Sequence, residues 1–308
     1  AILFLSKGGV AVRVLTHTVT AVENGQTVKQ LLRGLWGISG GFLSRLKFRG
    51  GITVNGTVVT VRYTVRPGDV LAADVSDLSG ENPHILPVDF PLDILYEDED
   101  LLLINKPAGI AMHPAALTEE TATIAGAVAH YLGSDSFHAV NRLDRGTTGV
   151  MAAAKTGFIH ARCMTLLHTE SFQRDYRAVC EGIPTPAEGD IDLPLGRAEG
   201  SLLQRQPDPQ GGVPAHTHYE VLEALQGRAL LRLTPTTGRT HQLRVHLATI
   251  GHPLTGDWLY GTEDRALIAR PALHSYHLRM VHPLTGKVID VTAPLPEDIQ
   301  RLLKEERL

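Results

Sequence analysis

The chain has 308 residues, 43% of them apolar and 20% charged, and a net charge of −4. This length suits one large domain with a smaller one, and the composition is enough to bury an ordinary core. The net charge excludes recognition of a polyanion by overall attraction, so any nucleic-acid contact has to come from a local basic patch.

The opening apolar run, Ala1-Ile2-Leu3-Phe4-Leu5, is too short for a secretory core and has no basic segment before it. No later stretch reaches the length of a membrane span, so no membrane partner is expected. Thr27 reads as the N-cap of a helix whose apolar residues Val28, Leu31, Leu32 and Leu35 recur at helical spacing. The glycines of 37–41 break it. A second, basic helix is expected over Phe42–Phe48, carrying Arg45 and Lys47, with Arg49 before the stop at Gly50-Gly51. Ile52-Thr53-Val54, the turn Asn55-Gly56, and Thr57–Tyr63 predict a hairpin. A strand over Val70–Val75 follows the turn Arg66-Pro67-Gly68-Asp69.

This order of helix, basic helix and hairpin resembles the small RNA-binding module named after the fourth small-subunit ribosomal protein, over residues 13–78. Eight Lys and Arg against four acids give the segment a local excess of +4 in an acidic chain. Neutralising phosphates requires such an excess. Arg33, Arg45, Lys47 and Arg49 are the expected RNA contacts; the plainer reading of the same residues is a solvated helix face.

Residues 79–88 fall in a Ser-, Gly-, Asn- and Pro-rich stretch that reads as a linker, leaving 89–308 as the larger domain. There Leu101–Ile104 reads as a buried strand, Ala122–Leu132 as a helix, Arg228–Thr234 as a strand, and Gly238–Ile250 as a turn leading into a helix. Strands with interspersed helices and no regular βαβ alternation predict an α+β sheet protein.

Four segments carry the chemistry: Leu102–Gly109, Asn141–Gly149, Arg174–Val179 and Gly238–Leu247. In that order and spacing they are similar to the RluA-type pseudouridine synthases. Gly251–Asp257, Leu259-Tyr260-Gly261 and His282–Gly286 match the family's tail. The resemblance implies a bent, mostly antiparallel sheet with a central cleft, and an enzyme that isomerises uridine in structured RNA. That reaction breaks the bond from base to sugar, turns the base and rejoins it through carbon. No redox step or group donor is involved, so neither cofactor nor metal is expected.

By resemblance Asp144 is the catalytic carboxylate. An aspartate stays ionised at neutral pH, its ordinary pKa being about 3.9. Taken alone it would read as a turn residue beside Gly146 and Gly149. The family likeness makes Arg244 its salt-bridge partner and Tyr176 the ring that packs on the uracil. By spacing alone Tyr176 reads equally as an amphipathic residue at a sheet edge. Leu243 would line the pocket, and as a plain core leucine it would look no different. Arg142 matches an arginine taken to fill the space left by the flipped base. Arg239 and His241 match motif positions with structural or RNA-contacting roles. Asn141 stands where the family usually has His, and a shifted RNA preference is the expected consequence, because Asn cannot titrate near neutrality.

Fifteen histidines raise a metal site as the competing reading. His216 and His218 would share a strand face, and His274 and His277 a helix face, but no acid stands at ligand spacing beside them. Two cysteines, Cys163 and Cys180, exclude a disulfide framework and a four-cysteine zinc site. A cytoplasmic monomer acting on RNA is therefore expected. Large-subunit ribosomal RNA is the leading substrate, transfer RNA the alternative, and a non-catalytic RNA-binding or ribosome-assembly protein the rival of another class.

Overall fold

The computed structural model describes residues 13–77, 85–114, 122–134, 137–201 and 203–306. The apolar run at 1–5 and positions 79–84 of the expected linker lie outside them. Strand β1 (Val14–Thr18) precedes helices α1 (Val28–Trp36) and α2 (Gly40–Phe48) and strands β2 (Ile52–Val54), β3 (Thr57–Val58) and β4 (Val70–Asp74). These strands form one sheet in the order β1-β4-β2-β3.

Thr27 caps α1, its hydroxyl accepting from Gln30 N–H at 3.3 Å. Helix α2 begins at Gly40 rather than Phe42, because Ser39 supplies the cap, accepting from Phe42 N–H at 3.2 Å. Asn55 and Gly56, both at positive φ, make the tight hairpin turn. The second arm ends at Val58 rather than Tyr63. Beyond it the chain leaves the sheet, and the carbonyls of Val61 and Tyr63 accept from Lys29 and Val28 N–H. Those amides at the start of α1 have no partner within the helix.

The second part of the chain holds β5 (Ile94–Glu97), β6 (Leu101–Lys106), α3 (Ile124–Leu132), β7 (His138–Ala139), β8 (Thr148–Ala154) and α4 (Gly157–Met164). Next come β9 (Phe172–Glu181), β10 (Glu188–Asp192), β11 (Leu195–Arg197), β12 (Arg205–Pro207), β13 (His216–Ala224) and β14 (Arg228–Pro235). Helix α5 (Gln242–Thr249), β15 (Leu273–Val281), β16 (Val288–Thr292) and α6 (Glu297–Glu306) complete it. A ten-stranded sheet runs β10-β13-β14-β9-β15-β8-β6-β5, with β16 on β15 and β7 on β8. Its pairs are antiparallel except β8 with β15. The fold is α+β, as expected.

Both faces of this sheet are covered, which explains its continuous apolar runs. Leu101 and Leu103 of β6 point into one core and Leu102 and Ile104 into another, and β8 alternates likewise. Each such side chain contributes at most about 1.5–3 kcal/mol of burial. Helices α3 and α5 cover one face through Ile124, Val128, Leu243 and Leu247. On the other face, Leu32, Leu46 and Leu71 of the N-terminal part join a single apolar cluster with Val150, Phe158 and Leu278. Phe42 meets Phe158 with ring centroids 5.2 Å apart. Arg13 forks onto Asp100 at 2.7 and 2.9 Å.

His274 and His277 lie on strand β15, not on a helix. Pairing with β9 and β16 holds the segment extended, and a bulge between Ser275 and His277 interrupts it, which spacing alone does not reveal. His274 is buried and bonded to Thr148 at 2.8 Å. Among the described residues no group of His, Cys, Asp and Glu is arranged to hold a metal, and no helix is long and apolar enough to cross a membrane.

Candidate active site

Asp144 lies in the loop 140–147 that feeds strand β8, and its carbonyl accepts from Thr147 N–H at 3.0 Å to close a turn. The loop is held from three sides. Lys106, fully buried, donates from Nζ to the carbonyls of Pro107, Arg145 and Thr147 at 2.9, 3.1 and 3.0 Å. Arg270 donates from Nη1 to the Gly146 carbonyl at 3.0 Å, while its other nitrogens fork onto Asp298 at 2.6 and 2.8 Å. Asn141 accepts from Ala152 N–H at 2.8 Å. Its buried amide thus anchors the loop to β8. Gly149, at φ +104°, sits where β8 crosses closest to β15, and a Cβ there would collide with the Ser275 backbone.

Arg244 approaches Asp144 from helix α5, with Nη1 3.6 Å from Oδ2. Its main partner is Asp257, which takes Nε and Nη2 in a fork at 2.7 Å each. Both are buried, Asp257 completely. Burial disfavours the guanidinium charge, but the Asp257 bonds outweigh it and hold the pKa above its ordinary value. The bidentate pair locks the plane of the arginine and leaves its third nitrogen facing Asp144. Tyr260 lies beneath, its ring 5.0 Å from the guanidinium carbon.

His241 opens α5 in the left-handed conformation, φ 56°. Its Nε2 is 4.0 Å from Asp144 and its Nδ1 2.9 Å from the Tyr260 hydroxyl. Burial pushes its pKa below the ordinary value, against the pull of Asp144. Arg244 is therefore the stronger cation beside the carboxylate. Gln242, buried, knits the approach to α5 by accepting from Arg239 N–H at 3.0 Å and donating to the His216 carbonyl at 2.9 Å.

Asp144, Arg244, Tyr176, Leu243, Arg142 and Arg239 line one cleft of about 550 Å³. Tyr176 comes from β9, an interior strand rather than an edge. Burial raises its phenol pKa, so the ring stays neutral. Leu243 is buried in the wall. Arg142 is exposed and makes no hydrogen bond or ion pair among the described residues. Arg239 donates to the Pro214 carbonyl at 3.0 Å. A fixed carboxylate, an aromatic ring, an aliphatic wall and an open guanidinium suit a planar base attached to an anionic backbone.

The basic residues of the first part lie elsewhere. Arg33, Arg45 and Lys47 are exposed, Arg45 stacked 5.0 Å over Phe42. Arg49 differs from them: its guanidinium donates to the carbonyls of Ser76 and Asp74 and is half-buried. It ties α2 to the end of β4.

Residues 100–249 match the RNA pseudouridylate synthase family. The chain is 39% identical over 284 residues to an uncharacterized RNA pseudouridine synthase, YjbO, of Bacillus subtilis, covering 91% of this chain and 99% of that protein. It is 36% identical over 308 residues to ribosomal large subunit pseudouridine synthase D of Yersinia pestis, covering 94% and 93%. Among solved structures, human RNA pseudouridylate synthase domain containing 4 shares the fold, with TM-score 0.56 and 24% identity over 70% of this chain and 93% of that one. The chain belongs to the RNA pseudouridine synthases, and within them to the RluA/RluD type. It is an enzyme that isomerises uridine in RNA.

Asp257, Tyr260 and Lys106 stand in the matching segments, yet spacing alone assigns them no duty. Arg270 lies outside those segments altogether. A Gly-Asp pair followed by Leu-Tyr-Gly is the one signal that could have singled out Asp257 as a loop-closing carboxylate.

Proposed function

We propose that this enzyme modifies large-subunit ribosomal RNA, with Asp144 acting as nucleophile or base on a uridine flipped into the cleft. The observation that carries the reading is the Asp257–Arg244 fork, which aims one guanidinium nitrogen at Asp144 across 3.6 Å. In this reading Arg244 orients the carboxylate and balances its charge, while Tyr176 packs on the uracil and Leu243 backs it. Arg142 fills the gap left in the RNA stack, and Arg239 and His241 hold the cleft mouth. Residues 13–78 form the RNA-gripping module, with Arg33, Arg45 and Lys47 on phosphates and 89–308 as the catalytic domain. The ribosomal target is supported by relatives named ribosomal large subunit pseudouridine synthase D, 36% identical over nearly the whole chain.

The test compares unmodified large-subunit ribosomal RNA with transfer RNA as substrates, followed by nucleoside analysis. Wild-type protein should form pseudouridine in the ribosomal RNA, and Asp144→Asn should bind it without conversion. Conversion confined to transfer RNA would overturn the assignment of target. Full activity in Asp144→Asn would overturn the assignment of the catalytic group.

A further inference from the structure

Asp144 also borders a second cavity of about 540 Å³, lined by Arg244 as well. Asp144, Arg145, Thr147, His241 and Arg244 line both spaces, so the catalytic loop and the start of α5 form a common wall. The second cavity is also lined by Trp258, Arg265 and Arg301. Trp258 is 54% exposed. Half exposed at the cavity, its indole is available to a planar ligand.

The turn that bears Trp258 is rigid. Asp257, besides clamping Arg244, accepts from the N–H groups of Leu259 and Tyr260 at 3.0 and 3.2 Å, and its carbonyl accepts from Gly261 N–H at 2.8 Å. One buried carboxylate therefore sets both the arginine facing Asp144 and the exposed indole beyond it. Preorganised aromatic faces beside cations are how proteins hold single-stranded nucleotides, since every base presents a π-face.

We propose that this cavity holds the nucleotide adjoining the target uridine in the same RNA strand, its base stacked on Trp258 and its phosphate near Arg265 and Arg301. This rests on the reading of Asp144 as the catalytic carboxylate. Asp144 stands in the wall common to the two spaces, which sets a nucleotide in the second cavity next to the uridine in the first. Glu263 lies 2.7 Å from Arg265 and Glu305 4.0 Å from Arg301. Their charges are partly compensated, so the stack on Trp258 carries more of the binding than the phosphate contacts. Arg270, already forked onto Asp298, serves as wall and not as ligand.

The test uses Asp144→Asn protein titrated with unmodified large-subunit ribosomal RNA and, separately, transfer RNA, with indole emission as the readout. Emission should fall on binding, and Trp258→Ala should remove all of the fall except what Trp36, the other tryptophan, contributes. In turnover, Trp258→Ala should raise KM about tenfold, and Trp258→Phe should recover most of it. An emission change of the same size without Trp258, or a KM moved less than about twofold, overturns the proposal. Protein partners would instead appear as quenching by no RNA at all, with normal turnover, which also overturns it. If Asp144→Asn converts either RNA at the wild-type rate, the reading of Asp144 fails and takes this one with it; normal wild-type conversion with a KM unmoved in Trp258→Ala fails this one alone.

Discussion

Arg45 and Lys47 on α2 and Arg244 on α5 are cations that the proposed function sets on the same RNA, and they stand in opposite surroundings. The first two stand in water, Arg45 resting on Phe42. Arg244 is buried, forked onto a carboxylate that is itself fully buried. An exposed cation acts through counterion release, tolerates small displacements and weakens with salt. A buried one is costly to desolvate and repays that only with fixed geometry, which is what a reacting carboxylate needs beside it. Arg49 shows that sequence proximity does not sort the two: it neighbours Lys47 but is spent on backbone carbonyls.

The largest effect that tests this contrast is on turnover. Asp144→Asn should lower conversion about a thousandfold or more while RNA affinity stays within a few-fold, measured by nucleoside analysis and filter binding. Loss of affinity in parallel would place Asp144 in binding instead. Next, Asp257→Ala leaves Arg244 buried without its fork and should cost about 3–5 kcal/mol, lowering Tm by on the order of 10 °C. A thermal melt unchanged within a degree or two would mean that the pair is not the structural clamp described here.

A third test concerns pH. Burial pushes the His274 pKa down to about 4. Below the ordinary value of about 6.5 the unfolded chain binds a proton that the folded chain refuses, so stability falls as pH drops from 6.5 toward 4. At pH 5 the loss from this residue should be about 2 kcal/mol, and His274→Gln should flatten that limb of a Tm-against-pH curve. The smallest effect lies on the exposed side. Arg45→Ala with Lys47→Ala should reduce the slope of log affinity against log salt by about 2. Arg49→Ala should leave that slope in place and lower Tm instead. The reverse assignment would show that α2 meets RNA by another face.

Much of this was legible beforehand. The periodicity of Val28, Leu31 and Leu32, the Asn55-Gly56 turn and the run Leu101–Ile104 are local patterns, and local patterns set helices, turns and strands. The grouping of Asp144, Tyr176, Leu243 and Arg244 in one cleft followed the family likeness. His274 and His277 misled because two residues three apart look alike on a helix face and on a strand interrupted by a bulge between Ser275 and His277. The hydrogen bond of Asn141 to Ala152 was not legible, because it joins residues eleven apart across a loop and spacing does not reveal it.

By itself the sequence determined the α+β class, the basic helix and the family to which Asp144 belongs, since each rests on residue type and short-range order. Only the tertiary structure decided which cations are spent and which face outward. It tied Arg244 to Asp257 rather than chiefly to Asp144, withdrew Arg49 into the fold, and left Trp258 in water at the edge of a second cavity. The reason is that an ion pair's worth and a side chain's exposure depend on distance and burial, and both are set by segments that meet only when the chain has folded.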